Sequence, residues 1–360
     1  MMMMSKALCL FLLLAIITST GCERARIIDD IVILSSKGYD FKDGRLHGSA
    51  VFSTYVNKDE QDILIGKAET VHGLFIEYND QTSSPIEWGK TMVIVIGQQF
   101  ATKGLSDLIS SLNSDQQLGS SIFLVVSNQE AEKIMQVEKT KPPFYLSHLI
   151  KQNMEHNNTP TTNLHSALYQ YFGSGQDVYL PSIRINQRGA IELNGLAVFQ
   201  KDRMKLHLNA AESLFLKLLK DDKKSGKFNF PFGEGERKVQ LFGQALSGST
   251  KMSVKNLKNS PQILFKLSLN CKITDVPLGI NLNNKRDLQS IQQAMERYIS
   301  EDTKKLLIKF QKSNVDPVGI GDFVRGRDRD WKEDEFDSIY PNLPLDVETV
   351  VKILQSGVGE

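Results

Sequence analysis

The chain has few of the residues that cross-linking and active-site chemistry draw on. It has three cysteines in 360 residues: Cys9, Cys22 and Cys271. Cys9 sits inside an apolar run near the start, so no disulfide framework is available and stability must come from a packed core. The six histidines are His47, His72, His148, His156, His165 and His207. No two have the i, i+4 spacing of a helical metal site, and none is followed by a metalloprotease-type carboxylate pattern. His148 and His156 can share one helix face, where solvated residues are the plainer reading. There is no Gly-x-Ser-x-Gly elbow. Gly89-Lys90-Thr91 is not a phosphate loop. Ser84 stands where the first glycine must be, Pro85 has no N–H to offer, and an apolar strand follows where a helix should begin. Charge of one sign is missing too: 43 basic against 42 acidic residues leaves no electrostatic footprint for nucleic acid and no broad polybasic face for lipid. Beyond the first 21 residues no apolar run approaches the ~20 needed to span a bilayer. These absences exclude the common catalytic sets, so the chain is read as a non-enzyme with no cofactor and no metal.

What is present begins at the start. Lys6 precedes the apolar stretch Ala7–Ile17, then come Ser19-Thr20-Gly21-Cys22. A cation, a short apolar core and small residues have the anatomy of a secretory signal. The small-small-Gly-Cys ending resembles the lipobox of bacterial lipoproteins, in which the cysteine thiol takes a diacylglyceryl group and becomes the first mature residue. Cys22 is therefore the candidate lipid-attachment residue. Ser19 departs from that pattern, since Leu or Val is usual there. An ordinary signal cleaved nearby and an uncleaved anchor are the alternatives. Removing Lys6 with the signal leaves 42 basic and 42 acidic residues, so the lipid would supply most of any membrane affinity.

The body predicts an α+β protein of mixed α/β character and more than one domain. Residues 1–21 read as signal peptide and 22–220 as an N-terminal α/β region with room for two subdomains. Strands are expected at Ile31–Leu34, Leu46–Val56 (across the turn Asp43-Gly44) and Ile63–Ile65, then a helix capped by Thr70. The run Met92–Ile96 predicts a strand covered on both faces, a helix follows over Gln98–Leu112, and Ile122–Val126 with Asn128–Val137 repeats the pair. Helices are expected at Phe144–Met154 and Asn163–Phe172, and strands at Val178–Ile185, Ile191–Phe199 and Met204–Leu208. The charged, Gly- and Pro-bearing stretch 221–235 reads as a linker. From 236 to 360 the pattern predicts a C-terminal α+β domain: two long β segments, Lys238–Leu257 and Ile263–Val276, a long helix 286–311, and a last strand Leu343–Leu354. Asp302 and Thr303 interrupt that helix's apolar stripe and allow a kink. Cys271, in an alternating strand, reads as a buried thiol. The run Arg325–Asp337 reads as a solvated loop, with a grip on a partner or cation as the sharper alternative.

The order of the pieces is similar to the Ger(x)C lipoproteins, the C subunits of bacterial spore germinant receptors. The similarity rests on Gly21-Cys22, Lys141-Pro142-Pro143 with Leu146–Lys151, Leu180-Pro181-Ser182-Ile183, Leu193–Phe199 with Asp202-Arg203-Met204 and Glu212-Ser213, and Gln311 with Asp316-Pro317-Val318-Gly319-Ile320-Gly321 and Trp331-Lys332. Departures are Glu23-Arg24 in place of Trp-Asp, Val318 and Ile320 in place of aromatics, and no tryptophan near Phe336. The resemblance implies a lipid anchor on the outer face of the spore inner membrane, and assembly with integral-membrane A and B subunits. It implies a role in nutrient-triggered germination without catalysis, the germinant not being bound by this subunit alone. A substrate-binding lipoprotein of an importer is the alternative. It calls for two like α/β lobes, which the second half does not resemble.

Overall fold

A computed structural model describes residues 32–354 except 55–59, 88, 116–117, 157, 234–237, 258–260, 276–281 and 283. The signal peptide and Cys22 lie outside the described residues.

Strand β1 (Val32–Lys42) turns at Asp43-Gly44, both with left-handed φ, into β2 (Arg45–Thr54), and β3 (Gln61–Ala68) follows. The strand expected over Ile31–Leu34 runs on past Leu34, because β1 pairs with β2 through to Lys42. Helix α1 (Val71–Asn79) starts at Thr70, whose hydroxyl accepts from the Gly73 N–H at 3.0 Å. After the short β4 (Ile86–Glu87) come β5 (Val93–Ile96) and β6 (Phe123–Ser127). Between these two the expected single helix is two, α2 (Gln98–Lys103) and α3 (Ser106–Ser114). Gly104 separates them with φ of 137°, which no helix accommodates, and the Leu105 N–H leaves the helix to bond the Asp202 carbonyl.

Helices α4 (Ala131–Glu138), α5 (Tyr145–His156) and α6 (Leu164–Phe172) lead to β7 (Tyr179–Ile185), β8 (Ile191–Gln200) and β9 (Arg203–Leu208). These nine strands form one mixed sheet, ordered β3-β2-β1-β5-β6-β7-β8-β9 with β4 beside β1; β1, β5, β6 and β7 run parallel. Both faces are covered, as the unbroken apolar runs require. Ile94 and Ile96 pack with α2, α3 and α6 on one side, and Val93 and Val95 pack with α4 and α5 on the other.

The second sheet is β10 (Gly226–Phe232), β11 (Val239–Lys255), β12 (Gln262–Asp275) and β13 (Leu345–Ile353), with only β12–β13 parallel. One face carries helix α8 (Lys285–Lys312), through Ile291, Met295, Ile299, Leu306, Leu307 and Phe310. Thr303 continues that stripe into the core and the helix is unbroken. Helix α7 (Ala210–Lys220), closed at its start by an Asn209–Glu212 capping box, packs on β8 and on β10 and joins both sheets in one apolar core. The stretch 221–235, expected as a linker, holds the edge strand β10. Its Phe228 and Phe230 point into the core while Lys227 and Asn229 face solvent. Two short helices, α9 (Ile320–Arg325) and α10 (Glu333–Ile339), lie between α8 and β13. The charged run 325–337 is thus partly helical, and Phe336 anchors it in the core. Cys271 is fully buried on β12, and burial pushes its thiol up to about 12.

Candidate functional site

Among the described residues no group of three or more His, Cys, Asp or Glu side chains could hold a metal ion. His148 and His156 are both exposed on α5. The feature that gathers polar chemistry is the junction between the two sheets. It joins the segment 173–178 to the loop after α8, the Asp316–Gly321 stretch.

The loop is built around one carboxylate. Asp316 is buried, and its Oδ1 accepts the Gly319 N–H and its Oδ2 the Gly321 N–H, each at 2.8 Å. Aspartate three and five residues before glycines can satisfy both donors and so close the chain on itself. This loop is pinned to 173–178 by backbone bonds: Asp177 N–H to the Asp316 carbonyl at 2.9 Å, and Asp322 N–H to the Gly175 carbonyl at 2.7 Å. The Asp177 carboxylate accepts the Asp316 N–H at 2.6 Å. Gln200, at the β8–β9 turn, donates to the Asn314 carbonyl at 3.0 Å, and Lys220, at the end of α7, donates to the Val318 carbonyl at 2.9 Å. Tyr340 closes the floor, its hydroxyl donating to the Val315 carbonyl at 2.8 Å.

Beside this clasp opens a pocket of about 360 Å³, within the range of small-ligand sites. Asp177, Asp316, Glu333 and Asp337 line it, with Lys201, the aromatic side chains Tyr171, Phe172, Phe336 and Tyr340, and the amides Gln170, Gln176 and Gln200. The acids crowd one another. Burial raises Asp177 to about 7, with Asp316 and Asp337 adding repulsion against the backbone N–H groups of Asp316 and Lys201. Burial raises Asp316 to about 6, held down in part by the N–H groups of its own loop and by Lys220. Burial, then Glu333, raises Asp337.

A carboxyl whose value is higher in the folded chain than its unfolded value near 3.9 binds more protons when folded. Its contribution is complete below about pH 4 and is lost as pH rises through the folded value. Urea titrations of the wild-type chain between pH 4 and 7 are therefore expected to show unfolding free energy falling with pH across this window. Asp177→Asn should flatten that fall; an unchanged slope would refute the assignment. Glu138 behaves alike. Burial raises it to about 7 against its Ser36 hydrogen bond, so part of the slope survives the substitution.

The sequence marked Asp316–Gly321 only through its resemblance, and Asp177 and Phe172 not at all as site residues. An aspartate with glycines at +3 and +5 was the available signal for the loop. The contact to Asp177 joins residues 139 apart and leaves no local trace.

A family model described as the spore germination protein N-terminal domain matches residues 24–185. A second, described as spore germination B3/GerAC like, C-terminal, matches residues 194–357. The chain belongs to the Ger(x)C family. It is 28% identical over 357 residues to spore germination protein GerQC of Bacillus cereus, covering 98% of this chain and 99% of that one. It is 24% identical over 391 residues to spore germination protein KC of Bacillus subtilis, covering 98% of this chain and 96% of that one. A crystal structure of the GerBC protein superposes with a TM-score of 0.59 at 14% identity, covering 89% of this chain and 97% of that chain. This Ger(x)C chain therefore shares its fold with the solved GerBC protein. Among its described residues no helix is long and apolar enough to cross a membrane.

Proposed function

We propose that this Ger(x)C protein is the lipid-anchored C subunit of a spore germinant receptor. It is held through Cys22 at the outer face of the spore inner membrane and assembles with integral-membrane A and B subunits. Its role is signalling and assembly in nutrient-triggered germination, not catalysis, and the nutrient site needs the other subunits. The observation that carries this reading is that both germination-protein domains match in order over residues 24–357, directly behind Gly21-Cys22. An importer's binding protein would call for two like lobes, whereas the two sheets here differ in size, strand order and helix cover.

Membrane affinity in this reading is mostly lipid. Each buried CH₂ contributes ~0.8 kcal/mol, so a diacylated cysteine holds firmly where a single chain would not. Cys22→Ala is expected to abolish palmitate labelling and either release the chain from the membrane fraction or leave it uncleaved. Spores carrying that variant alone should respond poorly to nutrient while sporulating normally. Labelling and fractionation like wild type would sink the anchor, and a normal nutrient response in a strain lacking the whole chain and any paralogous receptor would sink the role.

A further inference from the structure

Strands β1, β5, β6 and β7 run parallel, so all begin at one end of the first sheet. β1 begins there at Val32, ten residues after Cys22. Ten residues reach at most about 35 Å when fully extended. Segment 173–178 and the β8–β9 turn lie at this same end, because Val178 and Phe199 are bonded where β7 starts. From β1 to β7 is three strand spacings, about 14 Å. An anchor at Cys22 therefore tethers the same end of the body that carries the junction pocket.

The same end carries an uncovered aromatic face. Tyr169 and Phe172, three apart on α6, are 61% and 60% exposed, and Phe172 forms a wall of the pocket. Large exposed rings three apart on a helix are the kind of surface a partner covers. Beside them, the pocket lining carries Asp177, Asp316, Glu333 and Asp337 against Lys201. A small amine could balance the acids but would leave the rings in water. A polypeptide loop with a Lys or Arg among apolar residues meets both, because its cation meets the exposed Glu333 and Asp337 carboxylates and its stem lies on the rings.

We propose that the junction pocket and the outer face of α6 together dock a basic, apolar-flanked extramembrane loop of an integral-membrane partner. This rests on the anchored receptor-subunit reading above, and names the surface that reading needs. The recognition is electrostatic at the pocket and apolar at the helix, so neither half suffices alone.

The test uses the full-length chain in its native membrane, with the photoreactive residue benzoylphenylalanine in place of Phe172, and in a second strain in place of the distant, 55% exposed Ile76. Irradiation should join position 172 to a multi-spanning membrane protein, at a peptide containing Lys or Arg, and should leave position 76 unjoined to it. Adding Asp337→Lys, an exposed change, should lower the yield at 172 roughly tenfold, the effect of ~1.4 kcal/mol. A chain that stays in the membrane fraction but joins at 172 to lipid, to a second copy, or to nothing overturns the surface while leaving the anchor intact. So does a yield indifferent to Asp337→Lys. A chain absent from the membrane fraction overturns the anchored reading, and the docking surface with it.

Discussion

Phe230→Ala is expected to destabilise the protein by about 3–5 kcal/mol, the range for deleting a buried aromatic side chain. Phe230 is fully buried on β10, and its ring lies 6.0 Å from that of Phe228 and 6.4 Å from that of Tyr298 on α8. Tyr298 also touches Phe215 of α7 and stacks on Phe228, so four rings from the edge strand and two helices fill one site. Alanine would leave a cavity that this rigid cluster can close only in part. Its neighbour Asn229 faces solvent, and Asn229→Ala should change stability by no more than about 0.5 kcal/mol. Urea denaturation of the two variants gives the comparison. Equal, small losses would mean that residues 226–232 behave as a tether and not as part of the sheet.

That strand is also where the sequence was hardest to read. Asp221, Asp222, Lys223 and Lys224 before it and Gly233 and Gly235 after it present the composition of a joint, and Pro231 weakens any strand reading further. Pro231 is tolerated because β10 is an edge strand whose outer side needs no donor toward a further strand. The alternation Phe228, Phe230, Phe232 was the surviving signal, three residues of period two under a stronger charge pattern. By contrast, the strands at 93–96 and 123–127 and the long helix were legible because an unbroken apolar run or a helical stripe reports burial directly, four to seven positions at a time. Gly104 shows the converse failure. Ala101, Leu105, Leu108 and Ile109 keep helical spacing across it, so the stripe looks continuous although the backbone turns out of the helix between two short ones. Periodicity records which residues are buried, not whether the chain between them is unbroken.

The junction was illegible for a different reason. Its bonds pair residues 173–178 with 314–322, and its specificity lies in backbone groups that any sequence carries. What the sequence does carry is the glycines, and these give the second large effect. Gly175 has φ of 75°, and a Cβ added there would lie 2.5 Å from both the Asp322 nitrogen and the Gly321 carbonyl carbon. Those are backbone atoms of the opposing segment, so no side chain can swing aside. Gly175→Ala must push 175 and 321–322 apart, lose the 2.7 Å bond between them and draw the Asp177–Asp316 contacts with it. A left-handed non-glycine residue costs about 1–2 kcal/mol by itself. The clash and the freed donors bring the expected total to about 3–5 kcal/mol. Gly189 is the matched control: its φ is also 75°, but nothing lies within 4 Å of its added Cβ. Gly189→Ala should therefore show the conformational part alone. The difference between the two melting curves isolates the contact, and limited proteolysis should cut near 173–178 only in the Gly175 variant. If both substitutions cost the same, the two segments do not press on each other and the clasp between the sheets is not what holds the pocket in shape. If Gly175→Ala costs more, the same clasp that seats Asp316 also sets the spacing of the acidic wall, and the pocket's charge is a consequence of how the two halves of the chain are closed.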